Sequence, residues 1–462
     1  MTRVDSLEDI LSQLGSSRRQ IALSICLLTF TVANWVIEAS FSEIFYPVFQ
    51  CKHGLDTTDT TSIRYVYILM TALGALIFGV IADIRGRAGT LRFALFLSFY
   101  FRLLVMTFEP TSLWQQFGSK FMVQFTSGGS LIVALVCFVE TLTEEIYHKL
   151  ALLSIASGML LGNAVVFATS YINSIYLLVL IQSVPNFMAL VFAFASGETI
   201  RYLKTSGDFN AVVENLVEIA KSTKQKLPPK LNLRFKNCQF GSLTMLFTKR
   251  LAVYTFVLIF LLAILLINNT ITYQVYFSSM MPIYNLFRLD NNMTISSYLH
   301  GDEYCSYVKM TIKRFPILFP PLEIWKSIFV MLAAGFLAAF KKPLLLLNLN
   351  QSLITALLIS LSILGQNAEP SAIILYIACK LTVAAPWVLL TYICQLYQTN
   401  YRGAGLGLVF FSSSLIYTVL LFIGWSWAGG VGYKLSMIIL SAFSAASCIL
   451  VYLCPPKKVY GV

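Results

Sequence analysis

Apolar residues run along this chain in long unbroken blocks, not in alternation with polar ones. Twelve blocks stand out, at roughly 21–46, 63–83, 91–108, 117–139, 149–171, 174–196, 251–270, 318–340, 343–364, 370–394, 404–428 and 433–454. Each approaches the ~20 residues a helix needs to cross a bilayer core of about 30 Å. Unbroken blocks exclude transmembrane strands, which alternate inward and outward positions. The pattern predicts an all-α membrane protein with twelve transmembrane helices in two six-helix bundles. Six blocks come before a polar segment at about 197–250 and six after it. The expected organisation is an N-terminal bundle over 1–196, a central loop with short helices over 197–250, and a C-terminal bundle over 251–462 with an insertion at about 271–317. Within the central segment Val212, Leu216, Ile219 and Ala220 recur at helical spacing, which predicts an amphipathic helix ended by Pro228–Pro229.

Composition narrows the class. Of 462 residues 57% are apolar and only 12% charged, with a mean hydropathy of +0.75. Soluble domains run about 45–50% apolar and about 25% charged. An ordinary soluble enzyme, a disulfide-rich secreted domain and a disordered chain are excluded. The first block follows a polar segment without a small-residue cleavage site, unlike a signal peptide. Lys and Arg gather on one set of loops, at Arg18, Arg19, Arg85, Arg87, Arg92, Lys149, Lys341, Lys342 and Arg402, with ten more in the central segment. The positive-inside rule then places both termini and the central loop in the cytosol. The net charge of +12 belongs to these membrane flanks, which argues against nucleic acid as a partner. The bilayer is the expected partner, and the plasma membrane the expected location.

Of the nine cysteines, Cys51 and Cys305 fall on the expected outer side. They are either paired or free thiols. Asn-x-Ser/Thr sequons occur at Asn268 and Asn292. Asn268 lies close to the membrane along its helix, so Asn292 is the glycosylation candidate.

The turn between the second and third blocks reads Gly79-Val-Ile-Ala-Asp83-Ile-Arg85-Gly86-Arg87. Glycines permit a tight turn and close helix approach. Asp83 and Arg87 offer charge-assisted hydrogen bonds able to hold one end of the molecule closed. Through Gly79, Asp83, Gly86 and Arg87 the stretch resembles the G-x-x-x-D-R-x-G-R-R signature of the major facilitator superfamily. The tenth block and its exit carry Lys380, Leu396, Tyr397, Thr399, Arg402 and Gly405. This is similar to the G-K…E-L-Y-P-T-x-x-R-x-x-G pattern of the organic cation/anion/carnitine transporter family. Glu198-Thr-Ile-Arg201-Tyr202-Leu203 is similar to that family's E-S-P-R-W-L, and Leu14-Gly15…Arg18-Arg19 to its start. The resemblance implies a cytosolic gate of Gly79, Asp83, Gly86, Arg87, Glu140, Glu198, Arg201 and Arg402.

The departures are specific. Gln395 replaces the family's acid, and Gln398 its proline. The first outer loop is short. The repeat of the signature is reduced to Gly335…Lys341-Lys342, and the family's charged position in the eleventh helix falls at neutral Ser414.

Ionisable residues inside a membrane are functional hypotheses. Lys380 stands ten residues into its block, near the midplane where transporters bind substrate. The candidate substrate set is Lys380, Lys326, Glu323, Glu38, Asn34, Trp387 and Ser414. Glu323 and Lys326 either pair with each other or line the path. Arg102 and Lys120 lie near the outer ends of their helices and are expected to snorkel to water. Tyr65, Tyr67, Phe125, Tyr273, Tyr276 and Trp387 are candidates to line a cavity suited to an amphipathic ion. No Walker A sequence, zinc-peptidase motif or nucleophile elbow is present, so neither an enzyme nor a cofactor is expected. The expected function is secondary transport of a small organic ion, an anion or zwitterion slightly ahead of a cation. The neutral Ser414 and Gln395 motivate the other reading, a facilitator-fold protein acting as a membrane partner or receptor.

Overall fold

The computed structural model describes residues 7–53, 57–107, 113–142, 144–169, 175–225, 243–280, 327–340, 342–364, 369–428 and 433–454. Two helices of unlike character come first, the short amphipathic α1 (Leu7–Leu14) and the long α2 (Arg18–His53). Gly15, at φ +70°, closes α1. Ser17 opens α2 with a capping box: Gln20 N–H donates to Ser17 Oγ at 3.1 Å, and Ser17 N–H to Gln20 Oε1 at 3.3 Å. There follow α3 (Thr57–Arg85), α4 (Arg87–Thr107), α5 (Leu113–Thr141), α6 (Glu144–Thr169) and α7 (Ile175–Ala195).

The chain then bends by 55° into α8 (Ile200–Ser206). Asp208 caps α9 (Phe209–Thr223), accepting from Ala211 N–H at 3.1 Å. The amphipathic reading holds, with Val212, Leu216, Ile219 and Ala220 buried. The end point differs: Lys224 in the left-handed region (φ 59°) stops the helix, before the Pro228–Pro229 pair, which lies outside the described residues. The apolar face of α9 is covered by Leu7, Ile10 and Leu14 of α1 and Ile200 of α8.

The second half comprises α10 (Lys249–Met280) and α11 (Ser327–Phe340). It continues through α12 (Pro343–Leu364), α13 (Glu369–Leu396), α14 (Arg402–Ala428) and α15 (Tyr433–Leu453). Thus α2–α7 and α10–α15 answer the twelve apolar blocks, six in each half. Among the described residues nine of these helices are long and apolar enough to cross a membrane alone. Their outward faces carry exposed apolar side chains such as Phe96, Phe194, Ile363, Ile373 and Ile449, as a lipid solvent requires.

Lipid supplies little hydrophobic force between helices, so packing relies on small residues and close backbones. In the N-terminal bundle a Cβ on Gly128 of α5 would lie 2.0 Å from the Thr71 carbonyl oxygen of α3. Across the two bundles α3 packs along α14. At its other end this seam gathers Tyr65 and Ile68 with Tyr417, Leu421 and Ile267.

Candidate functional site

The turn Arg85–Arg87 defines one end of the molecule, the motif end. Gly86 makes the turn at φ +108°, and a Cβ there would meet Glu198 Oε2 at 2.6 Å. Closure is built on Asp83, the last acid of α3. Its Oδ1 accepts from Gly403 N–H at 3.1 Å and its Oδ2 from Ala404 N–H at 2.7 Å. The carboxylate of one bundle therefore caps the first turn of α14 in the other, where unpaired N–H groups and the helix dipole favour an anion. This approach requires glycine, because a Cβ on Gly79 would stand 2.3 Å from the Gly403 carbonyl oxygen.

Arg87, fully buried, ties the rest together. It lies 3.0 Å from Asp83 Oδ1 and 3.1 Å from Glu140 Oε2, and donates to the Ala82 carbonyl at 2.8 Å. Its remaining reach is to the Thr399 carbonyl of the other bundle. Glu140 also receives Arg402 at 3.0 Å and the Thr199 hydroxyl at 2.7 Å. Four buried ions and the helix ends thereby satisfy one another, which a buried charge needs. Glu198 accepts from Arg87 N–H at 3.0 Å and from Ala88 N–H at 3.1 Å, at the start of α4. Burial raises its carboxyl above the usual range, against the pull of the Thr199, Ala88 and Arg87 N–H groups. Arg201 donates to the Val139 and Leu142 carbonyls at 2.7 and 3.1 Å, closing the end of α5. The eight residues of the expected gate thus meet at one end of the molecule.

Three participants went unread in the sequence. Thr199 stands between Glu198 and Arg201, a spacing that could have suggested it. Tyr147 donates to the Thr391 carbonyl across the bundles, and no pattern marks it. Arg92 caps α7 by donating to the Ala193 and Ser196 carbonyls at 2.9 and 2.6 Å.

The candidate substrate residues divide. Trp387 of α13 meets Trp35 of α2 edge-to-face across the bundles, ring centroids 5.4 Å apart. Lys380 precedes Trp387 by two helical turns and so shares its face, as does Thr391. Lys380 is fully buried, with its Nζ 5.3 Å from the Tyr376 ring centroid. Ser414 is buried eleven residues after Gly403, on the α3-facing side of α14.

Asn34 and Glu38 turn the other way. Glu38 pairs with Arg102 of α4, and with Lys120 of α5 at 3.0 Å. Arg102 is 3% exposed and also donates to the Gln182 carbonyl of α7 at 2.6 Å. The expected snorkelling is corrected for Arg102, which a carboxylate within reach holds inside, while the partly exposed Lys120 turns to the same carboxylate. Asn34, one turn before Glu38, is fully buried. Both belong to the interior of the N-terminal bundle and not to the Trp35–Trp387 meeting. Phe125 packs on Phe78 and Tyr67 on Phe121 within that bundle. Glu323, Lys326, Asn292 and Cys305 lie outside the described residues, as do the side chains of Cys51, Tyr273 and Tyr276. Asn268 is 1% exposed within α10, closed to glycan addition.

Two six-helix bundles locked at one end by an inter-bundle cap define a membrane carrier of the major facilitator fold. The family model described as "Sugar (and other) transporter" matches residues 21–298, and the chain belongs to that family of secondary transporters, which are not enzymes. A search of curated protein sequences returns no match. Among solved structures it is similar to the proton:xylose symporter XylE bound to 6-bromo-6-deoxy-D-glucose, at 14% identity, TM-score 0.63 and 97% coverage of each chain. The E. coli fucose:proton symporter FucP aligns at 13% identity, TM-score 0.60, over 95% of this chain and 99% of its own. The human organic anion transporter MFSD10 (TETRAN) aligns at 11% identity, TM-score 0.58, over 96% and 99%. At these identities the likeness is one of fold.

Proposed function

We propose that this transporter carries a small organic ion, an organic anion or zwitterion ahead of an organic cation, by alternating access between its two bundles. One observation carries the reading: Lys380, fully buried, shares the α13 face on which Trp387 and Thr391 touch the opposite bundle. A cation on that face, beside aromatic rings, suits a carboxylate or sulfonate joined to an apolar body. The resemblance of the α13 exit and of Glu198–Leu203 to the organic ion transporters points the same way. Trp387 and Ser414 join Lys380 in this site, with Lys326 and Glu323 as further members on sequence grounds. The motif end is the cytosolic gate, consistent with the Arg and Lys residues that flank it, and the lattice around Asp83, Arg87 and Glu140 holds it shut.

The test is uptake of labelled organic anions, zwitterions, cations and neutral sugars into vesicles holding the purified protein. Saturable anion or zwitterion uptake is expected, falling at least about tenfold in Lys380→Ala, the cost of one lost charge-assisted contact. Uptake of a neutral sugar alone, insensitive to Lys380, would replace this reading with that of the symporters XylE and FucP. No flux for any class would favour a non-transporting partner or receptor.

A further inference from the structure

A second polar centre lies inside the N-terminal bundle, apart from the inter-bundle site. Its upper level is the contact of Arg102 with Glu38 and with the Gln182 carbonyl, joining α4, α2 and α7. One helical turn toward the motif end, each of these helices presents another polar residue. They are Asn34, four before Glu38; Ser98, four before Arg102; and Asn186, four after Gln182. Because α7 runs opposite to α2 and α4, all three offsets lead the same way, and residues four apart share a helix face. An independent contact fixes the register: Asn186 Nδ2 reaches the Leu95 carbonyl of α4 at 3.5 Å, beside Ser98.

The three side chains are 0% exposed, and all of their polar atoms except Asn186 Nδ2 are unsatisfied. Asn34 Nδ2 and Oδ1, Ser98 Oγ and Asn186 Oδ1 have no hydrogen-bond partner, and neither has Arg102 Nε just above. Buried polar groups are almost always paired, and several left open on three facing helices mark a place that something fills. The open donors are an amide NH2, a hydroxyl and a guanidinium N–H. The guanidinium carries a full charge, and its carboxylate is shared with Lys120. A small monovalent anion would accept from all three donors, while the spare amide proton of Asn34 serves Asn186 Oδ1.

We propose that α2, α4 and α7 enclose a site for a chloride-sized anion, bound by Asn34, Ser98 and Arg102 and structural to the N-terminal bundle. It is separate from the substrate site at Lys380 and stands whether or not that reading holds.

The experiment uses the full-length purified transporter in detergent, exchanged between sodium chloride, sodium bromide and sodium gluconate at equal ionic strength. The expected result is thermal unfolding at a higher temperature in chloride or bromide than in gluconate, with a saturable dependence on halide. Bromide is expected to give an anomalous diffraction peak between Asn34 and Ser98. Ser98→Ala, a small change, is expected to weaken the halide dependence several-fold while the protein still folds. Asn34→Leu, which fills the space, is expected to abolish it. Equal stability in all three salts, or electron density for water with no bromide peak, would overturn the proposal. Halide dependence unchanged in Ser98→Ala and Asn34→Leu would overturn it too, by placing the anion elsewhere.

Discussion

Asp83 shows how much one side chain does when it works on a helix end and not on another side chain. Its two oxygens take the first free N–H groups of α14, so its charge and both acceptors are engaged at once. Hydrogen bonds to an ionised group contribute about 1.5–3 kcal/mol each. Asp83→Asn keeps the shape, removes the charge and turns one acceptor into a donor facing N–H groups. The motif end should then open roughly tenfold more often, about 1.4 kcal/mol. Modification rates at an Ala404→Cys reporter would show this, and identical rates with and without the Asn would refute the capping role. Arg102 and Lys120 teach the opposite lesson about single residues. Counted by depth they belong at the water, because the count sees the helix end and not the carboxylate on another helix. Glu38 is 64 residues from Arg102 and 82 from Lys120, so no local pattern could have announced the cluster.

At the level of elements the sequence was most legible where physics is most local. The twelve apolar blocks became helices because a chain in lipid has to satisfy its backbone within each segment. The face of α9 was readable from its period, and Lys224 ended it sooner than the prolines suggested because a left-handed residue suffices. What covers α9 was not readable. The partner is α1, whose Leu7, Ile10 and Leu14 close the apolar face, and an eight-residue helix gives too short a period to declare itself. This docking yields its own expectation. Ile10→Glu should strip α1 from α9 at a cost of about 2 kcal/mol, the burial of one large aliphatic side chain. Hydrogen exchange at Val212, Leu216 and Ile219 should accelerate roughly 30-fold. Exchange unchanged there would mean that α8 alone supports α9.

For the molecule as a whole, each bundle coheres within itself, and the two meet along the α3–α14 seam and through discrete contacts beside it. Beside the Asp83 cap there are the Arg87–Thr399, Arg402–Glu140 and Trp35–Trp387 meetings and the hydroxyl of Tyr147 on the Thr391 carbonyl. Discrete polar and aromatic contacts of this kind suit a carrier, since states with small free-energy gaps can be exchanged by a ligand's differential affinity. Tyr147→Phe removes one contact and leaves the ring packed on Phe138. Inter-bundle distances from paired spin labels should shift toward the motif-open state by about 1 kcal/mol, roughly fivefold in population. An unmoved distance distribution would place the holding force elsewhere.

The glycine contact of α3 with α14 has a further consequence. Main chain rests there on main chain, with no flexible group between to absorb displacement. A slide of one helix along the other cannot be taken up locally, so it must reappear as a tilt of whole bundles about the Tyr65–Tyr417 end. Such a bearing transmits motion without slack. It also leaves a would-be inhibitor no side chain to displace, so a compound that jams it has to act as a wedge at the rim.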